Sequence, residues 1–251
     1  MADRFSPIGV FDSGVGGIGT LAALRRELPE EKFLFYGDTA NAPYGTKSRD
    51  EVMGCINRIM EHLLAQDVKA VVIACNTATA VAAAELRARY DLPIIGIEPA
   101  LKPASEVRKD GSILVLATPM TLKLEKFRAL YARYGEGAIP LPCPGLMELV
   151  EREANDEARR YLLELLSPYD LTKVDAVVLG CTHYVFLRPL LKEILPAGVS
   201  VLDGNEGTAR QLRRVLTAKE LLSDGPGSVT LETSGNPALV LPVMKRLLEK
   251  A

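Results

Sequence analysis

Short runs of aliphatic residues alternate with longer helical patterns over the whole chain, and this alternation constrains the fold more than any other feature. The apolar runs are continuous, which is typical of parallel strands that helices cover on both faces. They lie at residues 8–11, 33–36, 70–74, 94–97, 113–117, 176–180 and 199–202. Helical patterns between them include residues 49–64, 78–89, 122–134 and 156–166. The alternation predicts an α/β fold with doubly wound, mainly parallel sheets.

Two pairs of predicted strands match each other across the two halves of the chain. Residues 70–75 resemble residues 176–181 at every position, and residues 8–13 resemble residues 113–118 at nearly the same spacing. Apolar strands often match by chance, but the shared spacing favours two pseudo-symmetric domains. We expect residues 1–98 and 207–251 to form the first, discontinuous domain and residues 99–206 the second. The active site is then expected in the cleft between them.

Composition and charge argue against several classes of protein. The chain has 251 residues, of which 48% are hydrophobic, and its 30 basic and 32 acidic residues give a net charge of −2. This balance does not suit a protein that neutralises many phosphates, so nucleic-acid binding is not expected. The apolar runs are too short to span a bilayer, and the first residues show no signal-peptide pattern. We therefore expect a soluble, cytoplasmic protein without membrane contact.

Four polar clusters follow predicted strands, at the edge of an open α/β sheet where ligands bind. A helix-like stretch follows each cluster, and the free N–H groups of a helix N-terminus attract carboxylates. None of the clusters contains Arg or Lys, so they predict a small anionic ligand that is held by neutral donors. The clusters are Asp12-Ser13-Gly14, Cys75-Asn76-Thr77, Thr118-Pro119 and Cys181-Thr182-His183.

The four cysteines divide into two kinds. Cys55 lies in the middle of a predicted helix and Cys143 lies between two prolines, so we interpret both as structural. Cys75 and Cys181 each lie between an apolar strand and a predicted helix start, where a thiolate is favoured. The sequence has no C-x-x-C pair, and the pattern supports neither a zinc site nor a disulfide framework.

The two histidines and a glycine-rich turn complete the set of candidates. His62 is interpreted as a surface residue of its helix, whereas His183 follows Cys181 closely enough to relay a proton. Residues 14–19 satisfy the G-x-G-x-x-G pattern of dinucleotide sites, which is weak evidence alone. Asp12 would place a negative charge beside the bound pyrophosphate, which argues against nucleotide binding.

Four motifs together resemble glutamate racemases, and they follow the order of that family over nearly the whole chain. They are Phe11-Asp12-Ser13-Gly14-Val15-Gly16-Gly17, Tyr36-Gly37-Asp38-Thr39-Ala40-Asn41-Ala42-Pro43-Tyr44-Gly45, Ala74-Cys75-Asn76-Thr77-Ala78 and Gly180-Cys181-Thr182-His183-Tyr184. The resemblance implies an isomerase that needs no cofactor and supplies D-glutamate for peptidoglycan. It also implies a homodimer, while binding to DNA gyrase, reported for some members, is an expectation from resemblance alone.

The resemblance further assigns roles to individual residues. Cys75 is implied as the base for D-glutamate and Cys181 as the base for L-glutamate, with Asp12 and His183 assisting them. Glu151 matches an acidic position near the site. The residues implied to bind substrate are Asp12, Ser13, Pro43, Tyr44, Gly45, Asn76, Thr77, Thr118, Thr182 and His183.

Three other functions remain open from the sequence. The first is a racemase for another substrate of the same superfamily, of the aspartate or hydantoin type. The second is a thiol redox or metal-binding protein, in which Cys75 and Cys181 form a disulfide or share a metal ion. The third is a binding module without turnover.

Overall fold

The computed structural model describes residues 2–250, which form two compact units. Unit 1 contains the described residues up to Glu98 and those from Asn205 onward, and unit 2 spans Pro99–Gly204. The chain returns from unit 2 to unit 1 at Asn205. This point lies two residues before the boundary at residue 207 that we predicted from the sequence. It lies there because a helix of unit 1 begins at Asn205, where Thr20 Oγ1 donates a hydrogen bond to Asn205 Oδ1 at 2.7 Å.

Unit 1 is built around a five-stranded sheet whose strands all run parallel. The strands are β1 (Ile8–Asp12), β2 (Lys32–Gly37), β3 (Ala70–Ile73), β4 (Ile94–Gly96) and β9 (Ser228–Thr233). Their order in the sheet is β4-β3-β1-β2-β9. The helices are α1 (Ile18–Glu27), α2 (Arg49–Leu64), α3 (Asn76–Arg89), α10 (Asn205–Ala218) and α11 (Pro237–Lys250), with short 3₁₀ turns at Thr39–Asn41 and Tyr44–Thr46.

Unit 2 contains a four-stranded sheet, which is also parallel throughout. The strands are β5 (Ser112–Ala117), β6 (Ala138–Pro142), β7 (Val174–Leu179) and β8 (Ser200–Asp203), in the order β6-β5-β7-β8. The helices are α4 (Leu101–Val107), α5 (Pro119–Lys123), α6 (Glu125–Tyr134), α7 (Leu146–Glu151), α8 (Asn155–Leu166) and α9 (Arg188–Ile194). Two 3₁₀ turns lie at Leu171–Lys173 and Thr182–Leu187.

The two sheets repeat one arrangement of strands. When β1 to β4 are equated with β5 to β8, the order β4-β3-β1-β2 becomes β8-β7-β5-β6, which is the order of unit 2 read from its other edge. The register also repeats, since Ile8 of β1 lies opposite Ala70 of β3 and Ile113 of β5 lies opposite Ala176 of β7. The prediction of two pseudo-symmetric α/β folds with parallel sheets is confirmed.

The differences between the predicted and the observed elements have local causes. Strand β6 contains Pro140 and Pro142, which a sheet tolerates only at its edge, and β6 is an edge strand. Strand β9 lies at the other sheet's edge and is only partly buried, so it lacks a continuous apolar run. The predicted helix at 122–134 is interrupted at Leu124, whose extended backbone separates α5 from α6.

The core of unit 1 joins the two segments of the chain that form it. Buried side chains of β1, β2 and α1 pack with Leu212 and Leu216 of α10 and with Met244 of α11. These contacts bury apolar side chains from both segments, so the first 98 residues depend on the last ones for a complete core. None of the helices within residues 2–250 combines the length and apolar character that a bilayer crossing requires.

A buried ion pair also connects the segments of unit 1. Lys69 Nζ lies 2.5 Å from Glu31 Oε2, and only 1% of either side chain is exposed. Lys69 Nζ donates further hydrogen bonds to the carbonyl oxygens of Arg4 and Leu221, while Glu31 Oε1 accepts from the Ser223 N–H. Partners from both segments of unit 1 therefore compensate the two charges.

We expect Lys69→Met to destabilise the protein, because it leaves the Glu31 carboxylate buried without its counter-charge. Loss of one partner of such a pair costs about 3–5 kcal/mol. The free energy of unfolding is measured by urea titration. The exposed pair of Arg26 with Glu206 supplies the control, since Arg26→Met should cost far less. Equal losses in the two variants would contradict the role given to the buried pair.

Candidate active site

Cys75 lies at the junction of β3 and α3, at the carboxyl edge of the first sheet. It is the N-cap residue of α3, and its Sγ accepts a hydrogen bond from the Ala78 N–H at 3.4 Å. The same sulfur lies 3.5 Å from Ser13 Oγ, which follows β1. An N–H donor at a helix start interacts more strongly with a thiolate than with a thiol. The first and second polar clusters therefore meet in unit 1.

Asp12 organises the glycine-rich turn that follows β1. Its side chain is fully buried, and its carboxylate accepts hydrogen bonds from the Ser13 N–H at 2.8 Å and the Gly17 N–H at 2.5 Å. A Cβ atom at Gly17 would lie 2.6 Å from Asp12 Cβ, so the turn requires glycine there. These amides are donors that a bound phosphate would need. Their use by Asp12 argues further against nucleotide binding.

The segment of residues 38–46, which we call the 38–46 loop, is organised by Asp38. This carboxylate is 2% exposed and accepts hydrogen bonds from Tyr44 OH at 2.6 Å and from Asn41 Nδ2 at 2.8 Å. Burial and the neighbouring Asp38 carboxylate raise the pKa of Tyr44 far above its ordinary value, so its hydroxyl remains a donor. Pro43 follows a cis peptide bond in the same loop, and Gly45 lies in its second 3₁₀ turn.

Asn76 and Thr77 form the first turn of α3, directly after Cys75. Both side chains are buried, at 5% and 3% exposure. Asn76 Oδ1 has no hydrogen-bond partner among the described residues. A buried acceptor without a partner is costly, and a bound ligand that donates a hydrogen bond would remove this cost.

Cys181 occupies the equivalent position after β7, but its surroundings differ from those of Cys75. Its Sγ lies 3.9 Å from His183 Nδ1, and His183 Nε2 lies 3.0 Å from Glu151 Oε1 at the end of α7. A carboxylate only accepts hydrogen bonds, so Nε2 carries the hydrogen and Nδ1 of the neutral ring faces the thiol. The His183 side chain is 1% exposed, whereas Glu151 retains 31%. The structure thus brings three of the predicted residues into one row.

The chain after Cys181 forms the 3₁₀ turn Thr182–Leu187 instead of a regular α-helix. The predicted helical start is therefore present as a 3₁₀ turn that leads directly into α9 at Arg188, and the Cys181 side chain makes no capping hydrogen bond. Cys181 gains no long helix dipole, and the His183 imidazole takes the place of the helix N–H groups. Thr182 is buried within this turn, at 4% exposure.

Two side chains, Tyr184 and Arg188, fix the 3₁₀ turn through contacts that the sequence did not reveal. Tyr184 OH donates to the Cys143 carbonyl oxygen at 3.1 Å, which joins the turn to the segment after β6. Arg188, directly after the turn, donates to the Val201 carbonyl oxygen and forms an ion pair with Asp203 at the end of β8. The turn that carries Thr182 and His183 is therefore attached to both neighbouring parts of unit 2.

Thr118 follows β5 and caps the short helix α5. Its Oγ1 accepts from the Thr121 N–H at 3.2 Å and lies 2.9 Å from Thr121 Oγ1. β5 and β7 are adjacent in the sheet, so Thr118 and Cys181 follow neighbouring strands at the same edge. The third and fourth polar clusters therefore lie at one edge in unit 2.

The remaining cysteines and histidine have structural surroundings. Cys55 and Cys143 are buried free thiols, and Cys143 Sγ lies 3.3 Å from the Leu141 carbonyl oxygen. His62 keeps 39% of its side chain exposed, yet it also lies 2.6 Å from Glu232 Oε2 of β9. The surface interpretation of His62 is thus incomplete, because the ring connects α2 to the edge strand. Within residues 2–250, no three His, Cys, Asp or Glu side chains are grouped as metal ligands.

Comparison with known proteins assigns the chain to a family. The family model described as Asp/Glu/Hydantoin racemase matches residues 19–212. The chain belongs to this family. A glutamate racemase of Bifidobacterium adolescentis (strain ATCC 15703 / DSM 20083 / NCTC 11814 / E194a) is 47% identical over 98% of both chains.

Solved glutamate racemases share the fold over nearly the whole chain. The crystal structure from Thermus thermophilus, in complex with β-chloro-D-alanine, is 38% identical with a TM-score of 0.85, and the match covers 98% of this chain and 94% of that one. The RacE1 isoform from Bacillus anthracis is 33% identical with a TM-score of 0.88, over 98% and 95% of the two chains.

We expect Cys143 to stay unmodified when the folded protein is treated with iodoacetamide at pH 8. Burial, with a smaller contribution from nearby Cys181, raises the pKa of Cys143 from 9.0 to about 12. The reactive thiolate is then about one part in 10⁴ at pH 8. Peptide mapping by mass spectrometry locates the label. The urea-unfolded chain is the control, because unfolding restores ordinary reactivity, and labelling of Cys143 at equal rates in both states would contradict the expectation.

Proposed function

We propose that the chain interconverts L-glutamate and D-glutamate by a two-base mechanism that uses no cofactor. One observation carries the proposal. Strands β3 and β7 occupy equivalent places in the two sheets, and a cysteine follows each of them, Cys75 after β3 and Cys181 after β7. Racemisation removes a proton from one face of the α-carbon and returns one to the other. Two thiols on opposite faces perform both steps without moving the substrate.

Cys75 is proposed as the base for D-glutamate. The Ala78 N–H and the Ser13 hydroxyl lie beside its sulfur, and these groups support a negative charge there. Asp12 is proposed to assist it. The hydrogen bonds from Ser13 and Gly17 to the Asp12 carboxylate fix that side chain at the start of the same turn, so its position does not depend on substrate.

Cys181 is proposed as the base for L-glutamate, assisted by His183. The row Cys181, His183 and Glu151 resembles a nucleophile, base and orienting carboxylate in its geometry. The Glu151 carboxylate holds the imidazole in the tautomer whose Nδ1 faces the thiol. When Cys181 must be thiolate, His183 accepts its proton, and when Cys181 must be thiol, the proton returns.

The substrate-binding residues are proposed to hold glutamate through neutral donors and acceptors. Asn76 and Thr77 contribute side chains beside Cys75, and the unpartnered Asn76 Oδ1 suits the substrate ammonium, which only donates. The positive dipole end at the start of α3 suits a carboxylate. Withdrawal of the α-proton places negative charge on the substrate, and buried donors around it stabilise that charge more strongly than water does. The further binding residues are Ser13, Pro43, Tyr44, Gly45, Thr118 and Thr182.

The proposed activity supplies D-glutamate for peptidoglycan, as the resemblance to glutamate racemases implies. We place it in the cytoplasm, because the mechanism requires both thiols reduced and the cytoplasm keeps thiols reduced. A homodimer remains our prediction, which ultracentrifugation tests. Binding to DNA gyrase remains an expectation from resemblance only.

We expect Asp12→Asn and His183→Asn to lower kcat more than they raise KM. General acid–base assistance typically contributes about 10²–10⁴-fold to the rate. Because the two enantiomers have equal free energy, kcat/KM should fall by the same factor from L-glutamate and from D-glutamate. Steady-state rates in both directions are followed by circular dichroism. A change confined to KM would make either residue a binding group and contradict its proposed role.

The two-base mechanism predicts where solvent hydrogen enters the product. In D₂O, Cys181 removes the α-proton of L-glutamate, and Cys75, already exchanged with solvent, delivers deuterium to the other face. The D-glutamate formed should therefore carry deuterium, while the remaining L-glutamate stays protonated at early conversion. The opposite pattern is expected from D-glutamate. NMR or mass analysis of both enantiomers measures this, with enzyme dialysed against chelator and no cofactor added.

Single thiol variants provide the control for this experiment. Cys75→Ser and Cys181→Ser should each stop net racemisation, because a serine hydroxyl is far less acidic than a thiol. Product that retains the substrate's own proton, or near-normal racemisation by either variant, would refute the two-base mechanism. Parallel assays with aspartate and hydantoin substrates distinguish the proposed substrate from those of other family members.

A further inference from the structure

The end of β9, residues 233–235, contacts the first turn of the 38–46 loop directly. Thr233 Oγ1 lies 2.7 Å from Thr39 Oγ1, and the Ala40 N–H donates to Ser234 Oγ at 3.1 Å. The Ser234 N–H donates to the Gly37 carbonyl oxygen at 3.1 Å, so the contact continues the pairing of β9 with β2. The loop is therefore attached at its start to β9, the last strand among the described residues.

Gly235 shows how closely the two segments approach. A Cβ atom at this position would lie 2.3 Å from Thr39 Oγ1, where no real Cβ atom fits. The Gly235 N–H also donates to Thr233 Oγ1 at 3.1 Å, which holds that hydroxyl beside Thr39. The end of β9 is thus shaped around the loop, and a side chain at residue 235 would displace Thr39.

Hydrogen bonds continue from this contact into the loop. The turn Thr39–Asn41 begins after Asp38, whose carboxylate accepts from Asn41 at one oxygen and from Tyr44 at the other. Tyr44 is 1% exposed, so water has little access to replace this hydrogen bond. Thr39, which contacts the end of β9, directly follows Asp38, the residue whose carboxylate holds Tyr44.

We propose that Thr233 and Ser234 are positioning residues that hold the 38–46 loop ready to bind substrate. The proposal rests on the proposed function, in which Pro43, Tyr44 and Gly45 bind glutamate. Strand β9 has no counterpart in the four-strand repeat that the two units share. A loop fixed beforehand does not lose conformational freedom when the ligand binds, so its attachment lowers KM and leaves the proton transfers unchanged.

The test compares Thr233→Val with Thr230→Val on the same strand. Valine keeps the shape and strand preference of threonine but removes the hydroxyl. Thr230 is exposed and lies opposite Leu34, away from the loop, so it is a matched control. For Thr233→Val we expect KM for both enantiomers to rise about 2–10-fold, as the loss of one hydrogen bond allows, while kcat changes by less than about twofold. Thr230→Val should match the wild type.

Two further measurements separate positioning from general stability. Thr233→Ser restores the hydroxyl and should restore KM, and Ser234→Ala removes the second contact and should raise KM independently. Hydrogen exchange should show faster exchange of amides in residues 39–46 in Thr233→Val and Ser234→Ala, but not in Thr230→Val.

An unchanged KM in both loop variants, or a KM in Thr233→Ser that stays as high as in Thr233→Val, would overturn the proposal. So would a loss confined to kcat or an equal effect of Thr230→Val. A wild-type protein that turns over neither glutamate enantiomer would contradict the proposed function instead. The exchange rates of residues 39–46 then decide alone whether the end of β9 orders the loop.

Discussion

Hydrogen bonding between parallel strands, β1 with β3 and β5 with β7, determines where Cys75 and Cys181 lie. In a parallel pair the carboxyl ends reach the same edge, so the residue after β1 meets the residue after β3, and Ser13 comes within 3.5 Å of Cys75. Both strands are buried along their whole length, so apolar packing on both faces of the sheet stabilises this pairing. The positions of the two cysteines therefore depend on the same burial that stabilises the sheets.

The repeat of the fold reproduces the position of the cysteine but not its surroundings. Cys75 has a backbone N–H and a hydroxyl beside it, whereas Cys181 has an imidazole that a carboxylate orients. The difference follows from the element that comes next, a fourteen-residue α-helix in one unit and a 3₁₀ turn in the other. Two equivalent positions in a duplicated fold can thus support thiol chemistry by different physical means.

Features with a local cause could be predicted from the sequence. Helix α2 has the predicted bounds because Ser48 and Glu51 form a capping box at its start, and the core strands have continuous apolar runs. The positions of Cys75 and Cys181 at strand ends followed from the same runs. The role of Asp38 and the contact of Tyr184 with Cys143 could not be predicted, because they depend on side chains that only the tertiary fold brings together. Strand β9 was also missed, because it lies at the sheet edge, is only partly buried and has no continuous apolar run.

The split of unit 1 between the two ends of the chain has a consequence for protein synthesis. Unit 2 is one continuous segment, so all its strands have been synthesised before α10, β9 and α11 are made. Unit 1, although it contains the first residues, cannot enclose Ile18, Leu21 and Leu24 of α1 until Leu212 and Met244 have been added. The usual order, in which the amino-terminal domain folds first, therefore does not apply to unit 1, whose early strands and α1 keep an open apolar face until α10 and α11 have been synthesised.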